Sequence, residues 1–381
     1  MSNTINLLSE LVEINSVNPS LSAQGPGEGQ LASAVAQHLR ASKLDVVVEE
    51  VSPGRQNVIG VLAGRESGPS LMLCGHLDTV GVEGMEKPFT PITREGKLYG
   101  RGTGDMKGGL AAILDTVRQL SNSGWSKGKV IVAAVVDEEY TSIGAEDLVK
   151  HWHADAAIIT EPTSLVVAVG HKGFSWLEIS VEGRAAHGSR PQEGRDAILL
   201  MGKVLDKLDR LARKLQSSTP HPLLGCASLH ASLIEGGREM STYPDKCVLK
   251  IERRTLTGEK SDIGLEELDQ IITELKAEDP EFRATTKLIF DRQPYEIPLN
   301  TNLPEMIEQS ISKLGKSTRR DGMTYWTDAA ILGNAGIPSV IFGPGGEGFH
   351  GLEEFVVIDD VLACRDILVR FSRDFCSGIS E

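Results

Sequence analysis

Apolar positions along the first 165 residues follow two alternating rhythms. In "EGQLASAVAQHLRAS", "MKGGLAAILDTVRQLSNSG" and "GAEDLVKHW" they recur every three or four residues, the spacing of one helix face. "LDVVVEEV" and "NVIGVLAG" read as strands, and "PSLMLCGHLDTV", "KVIVAAVVDEE" and "DAAIITEPT" are nearly unbroken apolar runs. Such runs, separated by helices, predict strands of a largely parallel sheet covered on both faces.

The texture changes near residue 171. "FSWLEISVEGRAAH" and "CVLKIERRTL" alternate apolar and polar residues, as half-buried antiparallel strands do, with the long helix "GRDAILLMGKVLDKLDRLARKLQ" between them. After about residue 290 the first texture returns in "LPEMIEQSISKLG", "IPSVIFG" and "DDVLACRDILVRFSRDF". The pattern predicts an α/β fold with a mixed, largely parallel sheet and helices on both faces. It assigns residues 1–170 and 291–381 to this discontinuous domain and 171–290 to an inserted α+β domain.

Composition narrows the function. A chain of 381 residues exceeds one ordinary core, which agrees with two domains. The formal net charge of −14 argues against nucleic acid, whose phosphates require Lys and Arg clusters. The N-terminus "MSNTINLLSELVEINSVNPS" lacks a secretory signal's basic start and apolar core, and no run approaches the roughly 20 apolar residues of a membrane span. The five cysteines show no CxxC pairing and fit reduced thiols. These features predict a soluble, cytoplasmic protein with neither nucleic acid nor membrane as partner.

The polar residues of interest close the predicted strands, the sheet edge where open α/β folds bind ligands. His76 and Asp78 end one strand, on the same face at i and i+2. Asp137, Glu138 and Glu139 end the next, and Glu161 the third. Asp105 lies in the turn "GRGTGDMKGG", and His350 follows the last strand in "FGPGGEGFHGLEEF". Singly, each has an ordinary structural explanation: a hydrogen-bonded histidine, a solvated turn, a glycine loop lacking the dinucleotide and P-loop spacings. Together, two imidazoles and several carboxylates make a donor set for zinc, and a carboxylate between two ions would bridge a dinuclear centre. Asp78 could accept the second N–H of His76 and fix its tautomer. Glu138 and Glu139 alternate in direction, so that one could bind metal while the other handles a proton.

"GHLDTV", "GRGTGDMKGG", "VVDEE", "TEPT", "AAHGSRPQEGRDA" and "FGPGGEGFHGLEEFV" together resemble the co-catalytic zinc amidohydrolases and peptidases, from about residue 5 to 375. That group includes acetylornithine deacetylase, succinyl-diaminopimelate desuccinylase, aminoacylase-1 and glutamate carboxypeptidase. The resemblance implies a zinc-exopeptidase type of fold with an inserted dimerisation lid, and hence a homodimer. It implies His76 and Glu161 on one metal ion, Glu139 and His350 on the other, and Asp105 between them. It further implies Asp78 orienting His76, Glu138 as general base, and a cis Asp105–Met106 peptide bond. His187 would reach the partner subunit's site as oxyanion donor, and Arg254, Ser241 and Gly345 would contact substrate. Ser241 departs from the Asn of many relatives, and Glu161 from the Asp usual in the acetylornithine and diaminopimelate enzymes.

The expected reaction is hydrolysis of the amide bond of an N-acyl-L-amino acid by zinc-bound hydroxide, with Glu138 as general base. The expected cofactors are two divalent ions, zinc first, with cobalt and manganese as alternatives. A carboxypeptidase or dipeptidase reading shares the chemistry, and Glu161 favours it. A relative without activity would lack part of this residue set. A Ser or Cys nucleophile has little support: no GxSxG is present, and Cys74 lies inside an apolar strand.

Overall fold

The computed structural model describes residues 3–378. The chain divides into two compact units, one of Met1–Gly170, Ile297–Gly322 and Thr327–Glu381, the other of His171–Glu296 and Met323–Trp326.

In the larger unit the main sheet runs in the order Asp45–Ser52, Arg55–Ala63, Lys127–Val135, Glu66–His76, Ala156–Ile159, Ser339–Ile341, Val167–His171. Its middle is parallel: Glu66–His76 pairs in that sense with both Lys127–Val135 and Ala156–Ile159, and Ser339–Ile341 with Ala156–Ile159. The flanking pairs are antiparallel. Leu71, Met72, Leu73 and Cys74 are all fully buried although neighbours along a strand face opposite sides, so both faces of the sheet are covered. Helices Gly108–Asn122 and Ile358–Ser377 pack on each other and on Glu66–His76, while Gly29–Ala41 packs on Arg55–Ala63. The architecture is the mixed α/β fold the apolar rhythm predicts. Its register matters for function, because His76 pairs with Val135 and Cys74 with Ile159. The carboxyl ends of the three central strands therefore finish at one edge.

A second, smaller sheet of this unit was not visible in the hydrophobic pattern. Gly346–Glu347, Phe355–Val357, Lys97–Tyr99 and Ile92–Arg94 pair antiparallel in that order. These strands are too short for periodicity to register, yet the glycine turn and the His350 loop both spring from them.

The inserted unit has an antiparallel sheet in the order Ser228–Gly236, Lys246–Thr255, Gly173–Glu182, Arg283–Arg292. Leu177, Ile179 and Val181 alternate into a core with Leu249, Ile251, Met201 and Leu268, the last two from helices Ala197–Gln216 and Ile263–Glu278. Asp196 caps the first of these helices by accepting the amides of Ile198 and Leu199. No helix among the described residues is long and apolar enough to cross a membrane.

Candidate metal centre

The common strand edge gathers His76, Asp105, Glu138, Glu139, Glu161 and His350, all within the larger unit. His76 is almost completely buried; its Nε2 lies 3.1 Å from Asp105 Oδ1 and 3.5 Å from Glu161 Oε1. His350 Nε2 lies 3.1 Å from Glu139 Oε2 and 3.4 Å from Asp105 Oδ2. Asp105 thus turns one carboxylate oxygen toward each histidine. Ligand atoms of His76, Asp105 and Glu139, and of His76, Glu138 and Glu161, fall within 4.8 Å of one another in each group. The Asp105–Met106 peptide bond is cis. His350 has a left-handed backbone (φ 60°), a conformation that non-glycine residues adopt mainly in turns and functional loops.

Charge is concentrated here. Burial pushes the carboxyls of Glu138 and Glu161 well above the usual range, and Glu161 adds its own charge against Glu138. Burial and then Asp105 push Glu139 up to about 7. Asp105 goes the other way: burial opposes its charge, but hydrogen bonds from His350 and His76 hold its carboxyl far down. His76 stays well above an ordinary imidazole despite burial, chiefly through Glu161 and Asp105, and His350 is pushed up to about 10 by Asp105 and Glu139. This surplus of clustered carboxylate, combined with imidazole nitrogen, is the donor chemistry of divalent ions such as zinc, cobalt or manganese. The residues fit a two-ion centre.

Asp78 faces His76 with both its backbone and its carboxylate. The group nearest His76 Nδ1 is the backbone carbonyl of Asp78, at 3.0 Å, with the carboxylate Oδ1 at 3.6 Å. The carboxylate also accepts the backbone amides of Glu138 and Glu139, each at 3.1 Å, and Asn18 Nδ2 at 2.8 Å. A side chain within two residues of its histidine also reaches these donors because Asp137 adopts a left-handed conformation (φ 70°) that turns the next amides inward. Asn18 also donates to Asp137 Oδ1 at 3.0 Å, and Arg55 joins Asp137 (2.6 Å) to the fully buried Glu28. Asn18, Glu28 and Arg55 escaped the sequence reading. Arg55 opens a strand after a Pro-Gly turn and Glu28 precedes a helix, both ordinary places for solvated charge.

The remaining candidates are placed as follows. Gly345 is buried; its amide donates to Asp360 Oδ2 at 3.1 Å and its carbonyl accepts from Val357 at 2.8 Å, so both polar groups bond inside the fold. In the inserted unit His187 is exposed, and Ser241 accepts the Gly188 amide at 2.7 Å. The Ser189 amide donates to His187 Nδ1 at 3.2 Å, and the Ser189 hydroxyl lies 2.8 Å from the same nitrogen. Arg254 lies over the Phe174 ring and pairs with Glu252 at 2.6 Å.

A model of the peptidase family M20/M25/M40 matches residues 72–374. The acetylornithine deacetylase of Erwinia tasmaniensis is 30% identical over 392 residues, which cover 98% of each protein. That of Proteus mirabilis is 29% identical over 387 residues, 98% of this chain and 96% of the other. Among solved structures, a tripeptidase from Staphylococcus aureus superposes with a TM-score of 0.83 at 22% identity, covering 98% of both chains. A Bacillus subtilis protein described as a dinuclear metal binding peptidase of the M20 family gives a TM-score of 0.75 at 17% identity, over 99% of this chain and 98% of the other. At such identities these two likenesses speak for the fold.

Proposed function

Because the chain belongs to the peptidase family M20/M25/M40, we propose that it hydrolyses the amide bond of N-acyl-L-amino acids at a two-zinc centre built on His76, Asp105, Glu139, Glu161 and His350. The observation that carries this reading is Asp105 turning one oxygen toward each of two histidines, with Glu138 beside His76. The acetylornithine deacetylases matched along nearly the whole chain support an N-acyl amino acid as substrate. A dipeptidase or carboxypeptidase is the second reading; Glu161, in place of the Asp usual among the deacylases the chain resembles, favours it.

Two divalent ions in such a centre acidify water toward a pKa of roughly 7 and polarise the scissile carbonyl. The protein's part is then proton management and orientation. Glu138 accepts the proton of the attacking water at its carboxylate and returns it to the departing nitrogen. His187 donates from Nε2 to the developing oxyanion, supplied across a homodimer. Arg254 is the proposed partner of the substrate carboxylate, and Ser241 a proposed substrate contact. The homodimer has support in the inserted unit, whose strand Ser228–Gly236 is an exposed edge carrying Leu233 and Ile234, with Leu199 and Met240 also exposed. A wild-type chain sedimenting as a monomer would remove that part. All five cysteines are free, which supports a reducing, cytoplasmic setting that cell fractionation can check.

The deciding experiment is a zinc-loaded assay on N-acetyl, N-succinyl and N-formyl amino acids and on dipeptides, alongside Glu138→Gln. We expect hydrolysis of an N-acyl amino acid, lost by about 10²–10⁴-fold in Glu138→Gln while two zinc ions remain bound. Cleavage of dipeptides alone would favour the second reading, and a fully active Glu138→Gln chain would remove Glu138 from the role.

A further inference from the structure

The two loops that supply Asp105 and His350 leave neighbouring strands. Phe355 pairs with Tyr99 and Val356 with Leu98, so residues 100–105 and 348–354 start side by side. Between them lies Glu354, a carboxylate only 1% exposed and outside the ligand set. Its Oε2 accepts Arg101 Nη1 at 2.7 Å and the Gly102 amide at 2.9 Å. Its Oε1 accepts the Gly104 amide at 2.9 Å and the amide of Asp105 itself at 3.1 Å. Gly102 has a φ of 78°, the left-handed turn that points these amides at one acceptor. The buried Arg101 then reaches on with Nη2 to the carbonyl of Gly351, at 2.8 Å, the residue after His350.

His350 needs such an anchor. Its side chain is 56% exposed and its backbone left-handed, so burial does little to hold it. We propose that Glu354, working through Arg101, is a positioning residue that sets the spacing of Asp105 and His350 and so favours the metal ion on the Asp105–Glu139–His350 side of the centre. This rests on the two-ion reading given above. The group must be an acceptor on both oxygens, because all its partners donate. A glutamine of the same shape turns an NH₂ group against two of them. Carboxylates behind metal ligands typically govern metal affinity by about 10–100-fold. A simple staple for the loops would act differently, lowering thermal stability and both ions together.

The test is calorimetric titration of the full-length, metal-free chain with zinc, comparing wild type, Glu354→Gln and His350→Ala. We expect one binding step to weaken by about 10–100-fold in Glu354→Gln, the same step that His350→Ala removes, with the other step shifted by less than about threefold. Unchanged binding in Glu354→Gln overturns the proposal. So does parallel weakening of both steps where His350→Ala loses only one. Should Glu354→Gln not fold, Arg101→Gln keeps the backbone hydrogen bonds to Glu354 and removes the guanidinium that ties it to Gly351; it is expected to weaken the same step, and a wild-type titration there overturns the proposal. Wild-type protein that takes up no zinc defeats the two-ion reading and this inference with it, whereas two wild-type sites with an unaffected Glu354→Gln defeat this inference alone.

Discussion

The larger unit and the inserted unit place most of their proposed site residues in opposite ways. In the larger unit, His76, Asp78, Asp137, Glu161 and Glu354 are nearly or fully buried; four of them are held by hydrogen bonds, and Glu161 faces His76 Nε2 at 3.5 Å. In the inserted unit the groups proposed to meet substrate are at the surface: His187 and Ser241 are exposed and Arg254 is partly so. Buried charge must be paired at folding, so the first arrangement exists before any ligand arrives. The second can change partners at little cost. On the proposed function, metal binding and the general base belong to the larger unit, and the oxyanion and substrate contacts to the inserted one; mutations can separate the two.

After Glu138→Gln, the largest effect should come from the inserted unit. His187→Ala is expected to lower kcat by about 10²–10³-fold, the usual consequence of losing one oxyanion donor, while zinc stoichiometry stays at the wild-type value. Loss of zinc in that variant would break the division between the units. Next is Asp78→Asn. An amide can accept only one of the Glu138 and Glu139 N–H groups that the carboxylate now holds. Zinc affinity should fall about 10–100-fold. The His76 ring should keep its tautomer, because its Nδ1 faces a backbone carbonyl that the substitution retains. Imidazole ¹⁵N shifts in the zinc-loaded protein check this, and a tautomer change would restore the carboxylate as the orienting group.

The same contrast explains what could be read from the chain in advance. The strands that carry His76, Glu138 and Glu161 are continuous apolar runs, so their ends, and hence the edge where these residues meet, were legible. Asp105 and His350 were legible as chemistry on glycine-rich turns, but their closeness was not. It depends on pairings as short as Phe355–Val357 with Lys97–Tyr99, below the length at which alternation is visible. Asn18, Arg55 and Glu354 were hidden for another reason. Nothing in their local sequence distinguishes a polar side chain bonded inside a buried network from one that faces water. Asp78 was read against His76 alone, whereas the left-handed turn at Asp137 also brings its carboxylate the amides of Glu138 and Glu139.

Two fully buried histidines give the smallest and cleanest test of the contrast. His76, among carboxylates, is held well above an ordinary imidazole, with Glu161 foremost against the opposing effect of burial. His171, in the inserted unit, has ring neighbours Tyr295 at 6.0 Å and Trp326 at 5.9 Å, and its Nδ1 lies 2.8 Å from the Lys172 carbonyl. Burial pushes it down to about 4. Above a pH of about 6.5 the imidazole is neutral in both the folded and unfolded chain, so His171 adds no pH dependence. Between about 6.5 and 4 the unfolded chain binds a proton that the folded unit excludes, and stability falls by about 1.4 kcal/mol per pH unit as the pH drops, levelling off below 4. His171→Gln removes this sensitivity. The stability lost by wild type between pH 7 and pH 5, measured by urea unfolding, should exceed the loss in His171→Gln by about 2 kcal/mol. Equal losses would mean that His171 takes up its proton in place, and that its pocket tolerates charge as readily as the surface does.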